Sequence, residues 1–237
     1  TAMAGLDADF LYYASANNLY RTDKQGNATK VVASDLRAYP YHAPLVALDA
    51  THLYYASEFG IRRAPKDGGF PEVISSDTSA TRLQLDDTHV YFVSKGRLMR
   101  MPKSEGAPEL LAEDFLFEVG YGLAGGHAYF ITARGLERVK KTGGFKTLVL
   151  AADKLTGLPI DSIAVQGGDL LVVTAETASV QAGALWRLKL SDGSREKVLE
   201  LGRGHHPLAS VIDAKGYALS SWEDTRWRER GCSCPGP

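Results

Sequence analysis

The sequence predicts an all-β chain folded as a six-bladed β-propeller, one domain over residues 1–237 whose last blade is short of its outer strand. One unit recurs at intervals of about 40 residues, and each copy carries short apolar runs separated by turn residues. The 3.6-residue apolar period of a helical solenoid is absent.

The clearest copy is LDATHLYYASEFGIRRAPKDGGFPEVIS, Leu48 to Ser75. Its alternation places an inner strand at Leu45 to Leu48, a second at Leu53 to Ala56, a third at Ile61 to Ala64 and an outer one at Pro71 to Ile74, with a tight turn at Lys66-Asp67-Gly68-Gly69. The same order opens the chain as LDADFLYYAS and returns as LDDTHVYFVS, LAGGHAYFIT, VQGGDLLVVT and IDAKGYALSS. Aligned on Asp7, Asp49, Asp86, Ala124, Gln166 and Asp213, the spacings are 42, 37, 38, 42 and 47 residues, so the copies begin near residues 1, 43, 80, 118, 160 and 207. A lone four-stranded sheet cannot bury its faces, so neighbouring sheets should stack with the paired aromatics between them. The sixth copy has no Lys-x-Gly turn and no counterpart of the outer strand after Arg228, which predicts a three-stranded last blade or a chain that is a segment of something longer.

Composition fits one large core: 44% of the 237 residues are hydrophobic, enough for an all-β domain of this length. A net charge of −1 gives no basic footprint for nucleic acid or anionic lipid. No apolar run reaches the roughly 20 residues that span a bilayer, and the N-terminus carries no signal-peptide pattern. Cys232 and Cys234 are too few for a structural zinc site and too close for an unstrained disulfide. The Pro- and Gly-rich terminus around them is expected to be a mobile tail, with an intermolecular disulfide as the alternative.

Tyr54-Tyr55-Ala56-Ser57, Tyr91-Phe92-Val93-Ser94 and Tyr129-Phe130-Ile131-Thr132, each followed by an apolar-x-Arg run, resemble the TolB-like six-bladed propellers. They are most similar to the YWTD-like repeats of bacterial secreted and lipoprotein-type proteins. Serine or threonine stands where that pattern ends in Asp. The resemblance spans nearly the whole chain and implies an extracytoplasmic protein. It does not choose between scaffolds, ligand-binding modules and enzymes.

A site on such a disc belongs at the channel mouth, where the segments leading into the inner strands gather. Polar residues there that differ from copy to copy are not required by the repeat, which singles out His42, Arg82, Glu118, Asp161, His205 and His206, with Tyr121 and Trp222 beside them as ligand-binding candidates. Histidines and carboxylates together could hold a divalent metal or move protons. No G-x-S-x-G, H-E-x-x-H or phosphate-binding glycine loop is present. The Asn-bearing ligand set of the metal-dependent propeller lactonases cannot be assembled, because Asn17, Asn18 and Asn27 all lie in the first copy. A His-and-Glu lyase resembling virginiamycin B lyase remains conceivable through His42, Glu118 and His205 or His206. His52, His89 and His127 share one repeat position and read as structural, and Arg21, Arg63, Arg100, Arg138, Arg187 and Arg228 read as a blade-to-blade feature. The favoured function is a non-enzymatic module, without cofactor, that presents loops such as Ala175 to Ala184 to a protein, peptide or glycan partner. A metal-assisted lyase or hydrolase is the alternative.

Overall fold

A computed structural model describes residues 2–37, 46–116, 119–156, 158, 160–174, 183–200, 205–213 and 216–223, with backbone alone for residues 2–6, 161, 205–213 and 216–223. Blade 1 is β1 (Ala2–Leu6), β2 (Phe10–Ser15), β3 (Asn18–Asp23) and β4 (Thr29–Ala33). Blade 2 is β5 (Val46–Leu48), β6 (His52–Ser57), β7 (Gly60–Pro65) and β8 (Glu72–Ser75). Blade 3 follows as β9 (Thr81–Leu85), β10 (His89–Ser94), β11 (Arg97–Pro102) and β12 (Glu109–Ala112). Blade 4 is β13 (Tyr121–Ala124), β14 (His127–Thr132), β15 (Gly135–Lys140) and β16 (Thr147–Ala151), and a short 3-10 turn at Ala152–Leu155 leads out of it. Blade 5 is β17 (Ile160–Gln166), β18 (Asp169–Thr174), β19 (Ala184–Lys189) and β20 (Arg195–Glu200). Each is an antiparallel meander, and β1, β5, β9, β13 and β17 are the inner strands.

The described residues thus form a β-propeller with five four-stranded blades, which corrects the expectation of six. Among the described residues the sixth copy supplies a two-stranded ribbon, β21 (His205–Asp213) and β22 (Gly216–Glu223), with β21 against both β17 and β1. Two of its three expected strands are seen there, and Trp227 and Arg228, where the third is expected, lie outside the described residues.

The core lies between the blades. Tyr54 faces blade 3 beside Ile61, Leu83, Val90 and Phe92, whereas its neighbour Tyr55 faces blade 1 beside Tyr12 and Leu19. Tyr91 packs with Tyr121 and Phe130 of blade 4, and Tyr129 with Ile163, Leu170 and Val172 of blade 5. A strand buried on both faces does not alternate, so β6, β10, β14 and β18 are buried from their second residue to their last. Blade 1 has a full blade on one side only, and in β2 only Tyr12 is buried.

A repeated ionic clasp sits on one face of the disc, where the first and second strands of a blade turn. Asp49 accepts the backbone N–H groups of Thr51 and His52 at Oδ1 (3.0 and 2.9 Å) and, at Oδ2, the Tyr54 hydroxyl (3.2 Å) and the Lys103 ammonium of the next blade (3.0 Å). Asp7 does the same with Tyr12 and Lys66 (3.0 and 2.7 Å), and Asp86 with Tyr91 and Lys141 (2.7 and 3.2 Å). The lysines come from the Lys-x-Gly turns, which explains why those turns recur.

The matched arginines reinforce the clasp: Arg21, Arg63 and Arg100 donate to the backbone carbonyls of Lys66, Lys103 and Lys141. They are the blade-to-blade feature expected of them. Between blades 4 and 5 the clasp is absent, because Ala124 stands for the Asp and Leu190 for the Lys, and both pack on the apolar cluster there. His52 and His89 are structural as expected, each with Nδ1 bonded to a threonine hydroxyl and its ring tilted against a clasp tyrosine.

Burial tends to raise Asp7, but the Lys66 ammonium, the Phe10 and Asp9 N–H groups and the Tyr12 hydroxyl outweigh it and hold the carboxyl at about 2. Asp49 and Asp86 are depressed further by the same balance. In each tyrosine burial comes first and the aspartate second, and Tyr12 and Tyr54 rise to about 12.

Two predictions follow from the clasp. Asp49→Ala leaves Lys103, the Tyr54 hydroxyl and two turn N–H groups without their acceptor, and in this half-buried setting should cost about 2 to 3 kcal/mol by urea unfolding. Since the folded carboxyls titrate below their ordinary value of 3.8, their stabilisation is complete above that value and disappears as pH falls through the folded values, near 2 for Asp7. The urea midpoint should therefore fall between pH 6 and pH 2.5, and a D7N/D49N/D86N variant, weaker at pH 6, should show a smaller fall.

Candidate functional site

Opposite the clasp face lies the mouth face. Successive antiparallel strands put the second-to-third-strand turns there, together with the segments that bring the chain back to each inner strand. Of the residues singled out in the sequence, Arg82 and Tyr121 come together on it. The Tyr121 hydroxyl donates to the Arg82 carbonyl (2.8 Å), and Gln84 Nε2 donates to the Tyr121 carbonyl (2.6 Å), tying the inner strands of blades 3 and 4. Tyr121 is 1% exposed, and burial drives its hydroxyl well above the ordinary 10.

Arg82 lies where the register of β9 against β10 shifts, and its φ is +53°, a left-handed conformation uncommon for a residue with a Cβ. That conformation costs on the order of 1 kcal/mol or more, and the Tyr121 bond compensates for it. The Arg82 side chain runs along Gly120, itself at φ +84°. A Cβ there would come within 3.0 Å of the guanidinium, so the glycine leaves room for the arginine side chain.

Asp161 also sits at a register shift, between Ile160 and Ser162 of β17. His206 and Trp222 are cross-strand partners in the ribbon backbone, and His205 pairs with Glu223. His42, Glu118 and the loop at residues 175–182 lie outside the described residues. Among the described residues, no three His, Cys, Asp or Glu side chains converge as a metal site.

The repeat does not single out Arg37, yet its guanidinium crosses to the Ala80 carbonyl, just before β9. Beside it, Asp35 accepts the Tyr55 hydroxyl (2.9 Å) and pairs with Arg62, joining the outer edge of blade 1 to blade 2. A signal was available, because an aspartate recurs in the connection after the outer strand of each of blades 1 to 4: Asp35, Asp77, Asp114 and Asp153. Phe59, at the β6–β7 turn, is 60% exposed on the same face.

No family model and no curated protein matches the sequence. Solved structures are similar in fold. A chain of the nidogen/laminin complex matches with a TM-score of 0.61 and 12% identity, over 85% of this chain and 78% of that one. The N-terminal domain of Nup159 matches with a TM-score of 0.55 and 10% identity, over 92% and 72%. Regucalcin, a calcium-binding protein from Agrobacterium tumefaciens, matches with a TM-score of 0.51 and 14% identity, over 82% and 70%. At these identities the likeness is one of β-propeller fold alone. Among the described residues no helix is long and apolar enough to cross a membrane.

Tyr121→Phe removes the donor to a carbonyl held in a strained conformation. It should cost about 1 to 2 kcal/mol in urea unfolding, with a melting temperature that falls while the far-UV circular dichroism stays that of a β protein.

Proposed function

We propose that this chain is a non-enzymatic interaction module that binds a protein or peptide partner across the mouth face. The observation that carries the reading is Arg82: a cationic side chain on an inner strand, held in a left-handed conformation by a buried tyrosine and given room by Gly120. A repeat that merely had to fold would place an ordinary extended residue there, and strain kept in place at a channel mouth is characteristic of recognition sites. The exposed ring of Phe59 adds an aromatic anchor on the same face, and aromatic and arginine side chains commonly dominate protein interfaces. The propeller fold suits the role. One fold neighbour belongs to a complex of nidogen with laminin, and another, Nup159, has a solved structure with Dbp5 of S. cerevisiae bound to it.

Kinship with the TolB-like and YWTD-like repeats and an extracytoplasmic setting belong to the same proposal, on the strength of the Tyr-aromatic-x-Ser/Thr runs. His42, Glu118, Asp161, His205, His206 and Trp222 are proposed to line the same face.

Partner capture from the native extract tests the reading. Immobilised wild-type chain should retain a protein that Phe59→Ser and Arg82→Gly variants of unchanged melting temperature do not. Equal retention by all three, or a stoichiometric divalent metal found by elemental analysis together with lyase or hydrolase activity, would overturn it.

A further inference from the structure

On the clasp face, the missing clasp between blades 4 and 5 leaves a cleft of about 620 Å³, within the usual range for small-molecule sites. Its walls are Leu148 and Val149 of blade 4 and Leu190 of blade 5, and Arg138 and Lys189 bring positive charge to it. Three departures from the repeat meet there. Ala124 replaces the clasp aspartate, Leu190 replaces the clasp lysine, and Thr147 stands opposite Arg138 where Glu72, Glu109 and Glu196 stand opposite Arg63, Arg100 and Arg187.

The arginine itself is retained. In blades 1 to 3 its counterparts donate to the next blade's lysine carbonyl, but among the described residues the Arg138 guanidinium makes no hydrogen bond or ion pair. Asp169 also lines the cleft, and its carboxylate lies 3.6 Å from Arg187 Nε with no ion pair to Arg138. The cleft therefore lacks the clasp aspartate and the glutamate that stand beside the arginine in other blades, and it keeps Arg138 and Lys189 against one lining carboxylate, Asp169, beside Leu148, Val149 and Leu190.

We propose that this cleft binds a carboxylate carrying an apolar group, with Arg138 as the bidentate anion partner, Lys189 at the rim, and Leu148, Val149 and Leu190 against the apolar part. A guanidinium with unused donors on a half-buried apolar wall favours a planar carboxylate over a neutral ligand of the same shape. The chemistry is shared by a free aliphatic acid and by a peptide ending in an apolar residue. The site stands whether or not the mouth face binds a partner, since it lies on the opposite face and shares none of its residues.

Octanoate and N-acetyl-Ala-Ala-Leu, each beside its neutral amide, are titrated into the whole chain while the methyl signals of Leu148, Val149 and Leu190 are followed by NMR. At least one acid should shift those signals at millimolar concentration, and its amide should bind about tenfold more weakly or not at all. Tighter binding of octanoate identifies a free acid, and tighter binding of the peptide a chain terminus. Arg138→Gln should weaken the acid about tenfold. Gly168→Phe should abolish binding by filling the cleft, and it should fold, because Gly168 is not in the left-handed region and a Cβ there meets nothing within 4 Å. Lys189→Gln, at an exposed position, serves as a second charge variant and should weaken binding less. No shift with either acid, equal binding of acid and amide, or binding indifferent to both Arg138→Gln and Gly168→Phe would overturn the proposal.

Discussion

Each sheet of this chain is apolar on both faces, and no sheet can bury either face by itself. That constraint organises the whole structure. It makes Tyr54 and Tyr55, adjacent in sequence, face blades 3 and 1, and it turns strands such as β10 into continuous buried runs instead of half-buried ones. It also forces the ionic groups to the rim, where Asp7, Asp49 and Asp86 each hold a tyrosine of their own blade and a lysine of the next. Apolar stacking supplies the driving force. The clasp adds direction, because an aspartate committed to two turn N–H groups can meet the lysine in only one lateral register.

The clasp is informative where it fails. Between blades 4 and 5 acid and base are both replaced, by Ala124 and Leu190, which avoids the heavy cost of leaving one buried charge without the other. Apolar packing takes over the contact, but Ala124 and Leu190 do not reach across it as the aspartate and lysine do elsewhere. A cleft results, with Arg138 retained from the repeat and deprived of its usual partners. Repetition thus gives each interface a rule, and departures from the rule mark where the disc differs from a pure scaffold.

The mouth face differs from the repeat in another way. Regular strands fix side-chain direction by alternation, but a register shift releases it, and Arg82 and Asp161 both sit at such shifts in their inner strands. Tyr121, unlike the tyrosines of the clasp, spends its hydroxyl on the backbone of a neighbouring blade. Two kinds of buried tyrosine therefore serve two ends of the disc: one holds the blades together, the other holds a strained arginine in place.

Much of the fold was legible in the sequence, because period and alternation are local properties of a repeat. The strands written from Leu45, Leu53, Ile61 and Pro71 fall within a residue or so of Val46–Leu48, His52–Ser57, Gly60–Pro65 and Glu72–Ser75. Arg21, Arg63 and Arg100 could be assigned to blade contacts because their residue type and position recur, whereas Arg138 shares the pattern without the contact. Blade number could not be settled in this way: the sixth copy keeps the alternation of a first and second strand, but alternation does not say how many strands pair, and among the described residues five four-stranded blades and a two-stranded ribbon form. Nor could the sequence show that Lys66 meets Asp7, 59 residues away, or that Tyr121 supports Arg82. Those pairings depend on which faces stack and how far one sheet is displaced against the next, and only the tertiary arrangement decides that.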